Sequence, residues 1–348
     1  MMRRTHSIGL DISDRSIRFA HLEGSSKGPH LKEWKALVVP EGVIEDGIIR
    51  EPRILSSLLE KLMHGRDRHH REVIVSLPER QCFVKTITVH EDHHPVNTRV
   101  MKEIQEDLPY ELDEVLTDWQ VMKRIQSGLT TSFSILFVAA PKTIISAYED
   151  VLQNASLLPT ALEVESLALA RALLPWSGKA SNVLIVDAGR SMTSLVLCTG
   201  DSIQLTIGTR EFSGEKCTME IARHNSVSPE EGEKMKKEFG ITKSNEKACT
   251  KSLESMREVL QTVLSYQESR SSDHAPIDHV LLTGGSANML GLNDYFAKTT
   301  GRDVTLANPL TNLSQGKSDP SIQHALLSYA TAIGLALRAF QPADTRLL

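Results

Sequence analysis

The stretch NVLIVDAGRSMTSLVLC (182–198) reads as an apolar strand closed by an aspartate, a short polar turn and a second apolar strand, with SIQLTIG (202–208) following as a third. The same order stands near the beginning of the chain. There SIGLDIS (7–13) runs into an acidic turn, SIRFAHLE (16–23) returns, and LKEWKALVV (31–39) makes a third strand. Asp11 and Asp187 occupy matching places at the ends of the two leading strands, each followed by Ser or Thr and a second apolar strand. Identity between the blocks is low, yet the element order repeats, and this predicts a duplicated α/β domain.

Outward from these blocks, EPRILSSLLEKLMHG (51–65) places Ile54, Leu58, Leu59 and Leu62 at helical spacing, and EVIVSLP (72–78) is a β-branched strand ended by proline. Residues 82–156 read as an inserted subdomain of order β-α-β-β-α. Its parts are CFVKTITV (82–89), a helix through RVMKEIQEDLPYEL (99–112), DWQVMKRI (118–125), TSFSILFVAA (131–140) and a helix PKTIISAYEDVLQNA (141–155). Pro141 suits the first helical position of that last helix. Residues 213–275 are polar and helix-rich, with PEEGEKMKKEFG (229–240), KACTKSLESMREVLQTVLSYQE (247–268) and a linker SRSSDHAP (269–276). DHVLLTGGSANMLGLNDYFAKTTG (278–301) is strand, glycine turn and helix. A last helix, SIQHALLSYATAIGLALRAF (321–340), carries small residues that permit close packing.

Composition narrows the function classes. At 348 residues the chain has room for about two domains. A net charge of −5 offers no footprint for a phosphate backbone, and 5% aromatics leave no base-stacking platform, so nucleic acid is excluded as the main partner. The four cysteines (Cys82, Cys198, Cys217, Cys249) are scattered, which suits a reducing compartment and argues against a zinc or disulfide framework. No apolar run is long enough to span a bilayer, and MMRRTHSIGLDIS has no signal core behind its arginines. The ending QPADTRLL (341–348) is too short and polar for an amphipathic anchor. These features predict a cytoplasmic protein. The histidine pairs His69-His70 and His93-His94 have no third ligand at helpful spacing and read as solvated loops.

Three turns can assemble into one site: those after Asp11, after Asp187, and at Gly284–Gly285 beyond HVLLT. Hairpin turns with free N–H groups and hydroxyls cradle phosphates. Two facing aspartates, Asp11 and Asp187, can hold hydrated Mg2+ through water. A Gly-Gly turn admits a base or ribose against the backbone.

That order of turns resembles the actin-like ATPase superfamily, and within it the PilM proteins of type IV pilus assembly, cousins of FtsA. GLDIS is similar to the family's first phosphate loop and IVDAGRSMTSLVL to its second. LLTGGSANMLGLNDYFAKTTGRDVTLANPL resembles its adenosine motif, while EDLPYELDEVLTDWQV, FVAAPKTIISAYEDVL and ALEVESLALARAL resemble segments particular to PilM-like chains. The resemblance implies an α/β, actin-like, duplicated two-lobed fold. Subdomain 1A would be residues 1–81, completed by about 157–178 and 321–340, and the inserted 1C would be 82–156. Subdomain 2A would be 179–212 with 276–320, and 2B would be 213–275. ATP would be held by Asp11, Ser13, Ser16, Asp187, Gly189, Ser191, Gly284, Gly285 and Ser286, with Glu233 and Lys236 as the family's Glu-x-x-Lys pair beside ribose and base. Asp187 would serve catalysis, with Glu163 or Glu165 of ALEVESLALARAL near the γ-phosphate. Turnover is expected to be slow or absent.

The resemblance further implies an adaptor that grips the cytoplasmic tail of a PilN-type membrane protein in a groove between 1A and 1C, with the motor ATPases as further contacts. Membrane association would then come only through the partner, at the inner face of the inner membrane. The first loop departs from the family, reading Ser13-Asp14-Arg15-Ser16 where glycine and serines are usual. Asp14 would repel phosphate unless turned outward, and Arg15 would compensate. The alternatives are a GspL-like or FtsA-like scaffold, a sugar kinase of the same superfamily, or a scaffold that has lost nucleotide.

Overall fold

The computed structural model describes residues 6–65, 71–128, 130–176, 181–200, 202–242, 244–270, 276–314 and 319–341. His69 and His70, most of the 269–276 linker and all but the first residue of the 341–348 ending lie outside them.

The leading block forms β1 (His6–Ser13), β2 (Ser16–Ser25) and β3 (Gly28–Val38). A small hairpin β4 (Ile44–Glu45) and β5 (Ile48–Ile49), α1 (Pro52–Leu62) and β6 (Glu72–Leu77) follow. The insert holds β7 (Phe83–His90), α2 (Val96–Ile104), β8 (Val115–Ser127) and β9 (Thr130–Pro141). Then come α3 (Lys142–Asn154), β10 (Leu158–Val164) and α4 (Glu165–Leu173). The second block gives β11 (Asn182–Ala188), β12 (Thr193–Thr199) and β13 (Ser202–Thr209), then α5 (Gly214–Asn225), α6 (Pro229–Phe239), α7 (Ser244–Ala248) and α8 (Thr250–Arg270). The chain continues through β14 (His279–Thr283), α9 (Leu292–Thr300), β15 (Val304–Leu306), α10 (Pro320–Leu326) and α11 (Ala330–Leu337).

Two five-stranded mixed sheets result, ordered β3-β2-β1-β6-β10 and β13-β12-β11-β14-β15. In each, the first three strands are an antiparallel meander and the last two join the leading strand in parallel. The repeated order of elements is therefore a repeated topology, one sheet per lobe. The insert is a separate three-stranded sheet, β7-β9-β8, with its own core of Ile87, Val89, Val100, Ile104, Val115, Ile135 and Phe137.

Strand alternation decides what reaches the site. On β1, Ile8, Leu10 and Ile12 join a core with residues of α1 and α3. Gly9 therefore faces the other way, against α11, and Asp11 shares its face. A Cβ on Gly9 would lie 2.0 Å from the Ala332 carbonyl oxygen, and one on Gly334 would lie 1.9 Å from that of Ala168. The small residues of α11 thus let it wedge between β1 and α4. Gly334→Val is expected to abolish cooperative folding, and Gly334→Ala to lower stability by about 3 kcal/mol or more, both read by denaturant melts.

Several boundaries differ from the sequence reading. The buried face of α1 is Leu55, Ser56, Leu59 and Leu62, while Ile54 is exposed. Helix α2 stops at Ile104 because Pro109 is near, and Asp107 and Leu108 turn back to the Ile104 carbonyl. Pro141 is the cap of α3 and not its first helical residue. The same helix, grouped with the insert in the sequence, buries Ile144, Tyr148, Val151 and Leu152 in the first lobe's core. The last helix is broken into α10 and α11 by residues 327–329, where the Leu327 carbonyl accepts from Gly284 N–H and Thr283 Oγ1 at 3.1 and 3.0 Å. Glu163 lies on strand β10, and only Glu165 opens α4.

Candidate nucleotide cleft

The three turns meet in one cleft of about 880 Å3 between the lobes. Asp11, Ser13, Ser16, Asp187, Gly189, Ser191, Gly284 and Gly285 all line it. The β1–β2 register, Ser13 opposite Ser16, leaves Asp14 and Arg15 as a two-residue turn. Ser13 Oγ donates to the Ser16 carbonyl at 3.0 Å and lies 3.1 Å from Ser16 Oγ, which stiffens the loop. In the second loop the Gly189 N–H donates to the Met192 carbonyl at 2.9 Å. The N–H groups of Gly214 and Glu215, at the start of α5, donate to the carbonyls of Gly189 and Arg190 at 3.0 and 2.8 Å. Gly284 has φ +89°, and a Cβ there would stand 2.2 Å from Asp187 Oδ1, so only glycine lets the third turn lie on the second.

Ser286, Glu233 and Lys236 stand behind the lining. Ser286 Oγ donates to the Gly189 carbonyl at 3.1 Å. Lys236 Nζ donates to the Gly214 carbonyl at 2.7 Å and to Thr218 Oγ1 at 2.8 Å, and pairs with Glu233 at 2.6 Å. The Lys236 side chain is only 12% exposed, so this pair fixes α6 to the start of α5 and is not a solvated helix face.

Glu163 is not in the cleft. Its buried carboxylate pairs with Arg171 at 2.6 Å and Arg338 at 2.7 Å, tying β10 to α4 and the end of α11. Glu165, two residues on, lines the cleft instead. The change from strand to helix between them turns the two side chains to opposite sides.

Asp14 reaches into the β4–β5 turn. Its Oδ1 accepts from Gly47 N–H at 2.8 Å and its Oδ2 from Asp46 N–H at 3.1 Å, in the β4–β5 turn. These bonds hold the Asp14 carboxylate at the hairpin tip, where it still lines the cleft.

Carboxylates crowd the floor. Burial raises Asp11, opposed by Arg18, whose Nη1 donates to Asp11 Oδ2 at 3.3 Å, and by Ser76. Burial and then the Asp11 charge push Asp187 up to about 6, with Arg18 opposing. Glu79 is raised by burial against a 2.8 Å hydrogen bond from Ser166 N–H. Glu165 is held well above the usual carboxylate range by burial and by the charges of Asp11, Glu79, Asp187 and Asp14. Such a floor favours a cation. Among the described residues no group of three His, Cys, Asp or Glu is set to hold a metal. Asp11 and Asp187 are two carboxylates on one cleft, which suits only a cation that brings water and phosphate oxygens with it.

Arg18, Glu79, Arg80, Arg210 and the 327–331 segment line the cleft without having been singled out in the sequence. A two-residue hairpin fixes Asp11 opposite Arg18, so that contact could have been read from the first loop. Glu79 and Arg210 carry no such signal. A second groove of about 830 Å3 runs between Glu79–Val84 and the second-lobe strands β12 and β13. His93 and His94 are exposed, with ring centroids 4.0 Å apart and His94 Nδ1 3.2 Å from Asp92. Among the described residues no helix is long and apolar enough to cross a membrane.

Known structures share this architecture. The chain is similar to the PilM-PilN type IV pilus biogenesis complex structure at 23% identity and TM-score 0.81, over 98% of this chain and 100% of that one. It is similar to the ethanolamine utilization protein EutJ from Carboxydothermus hydrogenoformans at 15% identity and TM-score 0.58, over 98% and 91%. It is also similar to MreB5 of Spiroplasma citri bound to ADP at 12% identity and TM-score 0.54, over 95% of both chains. These likenesses establish an actin-like two-lobed fold with an inserted subdomain. The family model for the type IV pilus assembly protein PilM matches residues 9–340, and with that match over nearly its whole length the chain belongs to the PilM family.

Proposed function

We propose that the chain is an ATP-binding adaptor of the type IV pilus inner-membrane platform, which holds the cytoplasmic tail of a PilN-type membrane protein. The observation that carries the nucleotide half is the convergence of the three turns and both aspartates on one cleft between the lobes. Gly284 and Gly285 would accept the adenosine side, with Ser286, Glu233 and Lys236 bracing that wall from behind. Ser13, Ser16, Gly189 and Ser191 would meet the phosphates. Mg2+, held by Asp11 and Asp187 through water, would neutralise phosphate charge against this acidic floor. Glu165 would orient a water there, and the burial and neighbouring carboxylates that disfavour its ionised form would make it a weak base, in keeping with the slow turnover expected.

The tail-binding half draws support from β8, an edge strand of the insert, from Leu116 on it and from Leu112 just before it, each 51% exposed. An extended tail laid between the first lobe and the insert gains main-chain hydrogen bonds on such an edge and apolar pockets beside it. Nucleotide that bridges the lobes would bias this surface through its preference for one lobe arrangement. Contact with the pilus motors and residence at the inner face of the inner membrane follow from holding that tail.

Two measurements test the reading. Titration with Mg-ATP should give saturable 1:1 binding, with turnover well below one per second. The tail peptide of the neighbouring PilN-type protein should co-purify, and Leu116→Glu should release it. Failure of the peptide to bind, with the fold intact, would discard the adaptor role.

A further inference from the structure

The two lobes are joined across the cleft mouth by charged side chains that the family resemblance does not supply. Arg210 follows β13 in the second lobe, and its Nη2 reaches Asp14 Oδ2 in the first lobe at 3.1 Å and also pairs with Asp46. Arg80 closes on the same Asp46 carboxylate at 2.9 Å. In the opposite sense, Arg15 of the first lobe pairs at 3.3 Å with Glu215 on the first turn of α5 and at 3.3 Å with Glu41.

The receiving platform is rigid. Asp46 and Gly47 hold φ +56° and +80° at the tip of the β4–β5 hairpin. Asp14 accepts both of their N–H groups, Gln81 Nε2 donates to the Asp46 carbonyl at 2.8 Å, and Tyr148 Oη donates to that of Gly47 at 3.1 Å. Asp14 thus has two jobs: both oxygens fix the tip, and Oδ2 also presents charge to Arg210. Asp14 and Arg15 side chains are only 16% and 19% exposed, while their partners Arg210, Glu215 and Glu41 lie more open, so added salt can reach the pairs.

We infer that these pairs form a clasp that holds the lobes closed without nucleotide and must release before one enters. Asp14 and Arg15 of the first loop then serve contact between the lobes, while Ser13 and Ser16 keep their places on the cleft. Asp14, Asp46, Arg15, Arg80 and Arg210 all line the same cleft, so a ligand passing the mouth meets the clasp directly. The entry half of this inference rests on the nucleotide reading above, and the closure half does not.

The closure half is tested on the full chain without nucleotide, by the distance between spin labels at Arg53→Cys in α1 and Lys234→Cys in α6, in a Cys82→Ser background. Wild type should give one short distance. Arg210→Ser, Arg15→Glu and Glu215→Arg should each lengthen or broaden it, as should 1 M salt, where the screening length falls to about 3 Å. The double variant Arg15→Glu, Glu215→Arg restores the pair and should return to the short distance. Distances that stay at the wild-type value in every variant and in salt would overturn the clasp. The entry half is read with a fluorescent ATP analogue, whose association should be about tenfold faster in Arg210→Ser because more molecules are open. Equal rates in an Arg210→Ser protein shown to be open would overturn the gating. No binding by any variant would sink the nucleotide reading while leaving the distances to decide the clasp.

Discussion

Asp187→Ala should bind Mg-ATP about a hundredfold more weakly than wild type while keeping its fold, a loss within the range for truncating one partner of a buried charge contact. Asp187 lies at the end of β11, feels the charge of Asp11 and lies against Gly284. Its charge is unwelcome in the free protein, where burial and Asp11 push its pKa up to about 6. A group raised in the folded state contributes stability below its unfolded pKa, and that contribution is lost as pH rises through the folded value. The free protein therefore carries a destabilising charge at neutral pH. Removing it should leave the nucleotide-free melt no lower than wild type at pH 7.

Mg-nucleotide needs the ionised form, so binding releases a proton below pH 6. Wild-type affinity should rise with pH up to about 6 by as much as tenfold per unit, then level. Asp187→Asn should flatten the part of that rise owed to this group. Titrations from pH 5 to 8 check both statements. Unchanged affinity in Asp187→Ala would remove the cleft assignment altogether.

How far the sequence reaches can be judged from the same residues. Asp11 and Asp187 were legible because a strand-turn-strand pattern repeats locally, and each repeat sets its own register within a few residues. Gly284 was legible only through the order of the three turns, since a glycine pair after a strand is by itself usually just a tight turn. Glu163 and Glu165 were not separable, since the step from β10 to α4 falls between them and no capping side chain marks it. The cap comes from Glu79 in the turn after β6, which accepts from Ser166 N–H across 87 residues of chain. Likewise Arg210 meets Asp14 across 196 residues of chain, and the break at 327–329 follows from hydrogen bonds with the β14 turn. Contacts made by tertiary closure leave no local trace, and they supplied most of the cleft's charged rim.

Glu163 and Glu165 should separate cleanly on substitution. In Glu163→Gln the carboxylate that satisfies Arg171 and Arg338 is lost, and Arg171, with a side chain 7% exposed, is left without its counter-charge. Breaking a buried pair from one side costs about 3–5 kcal/mol. Arg171 also donates to the Gly334 carbonyl at 3.1 Å, so the damage reaches the α4–α11 contact on which β1 rests. The variant should melt far below wild type, and its folded fraction, held in stabilising osmolyte, should still bind Mg-ATP with near-wild-type affinity. Glu165→Gln should behave in the opposite way. Burial and the charges of Asp11, Glu79, Asp187 and Asp14 already disfavour its ionised form, so an amide of the same shape should not lower the melt. Any residual hydrolysis should fall to background in Glu165→Gln, because an amide cannot take a proton from water. A Glu165→Gln protein that keeps wild-type turnover would clear this residue of any part in hydrolysis. A Glu163→Gln protein with wild-type stability would show that the two arginines are content with solvent.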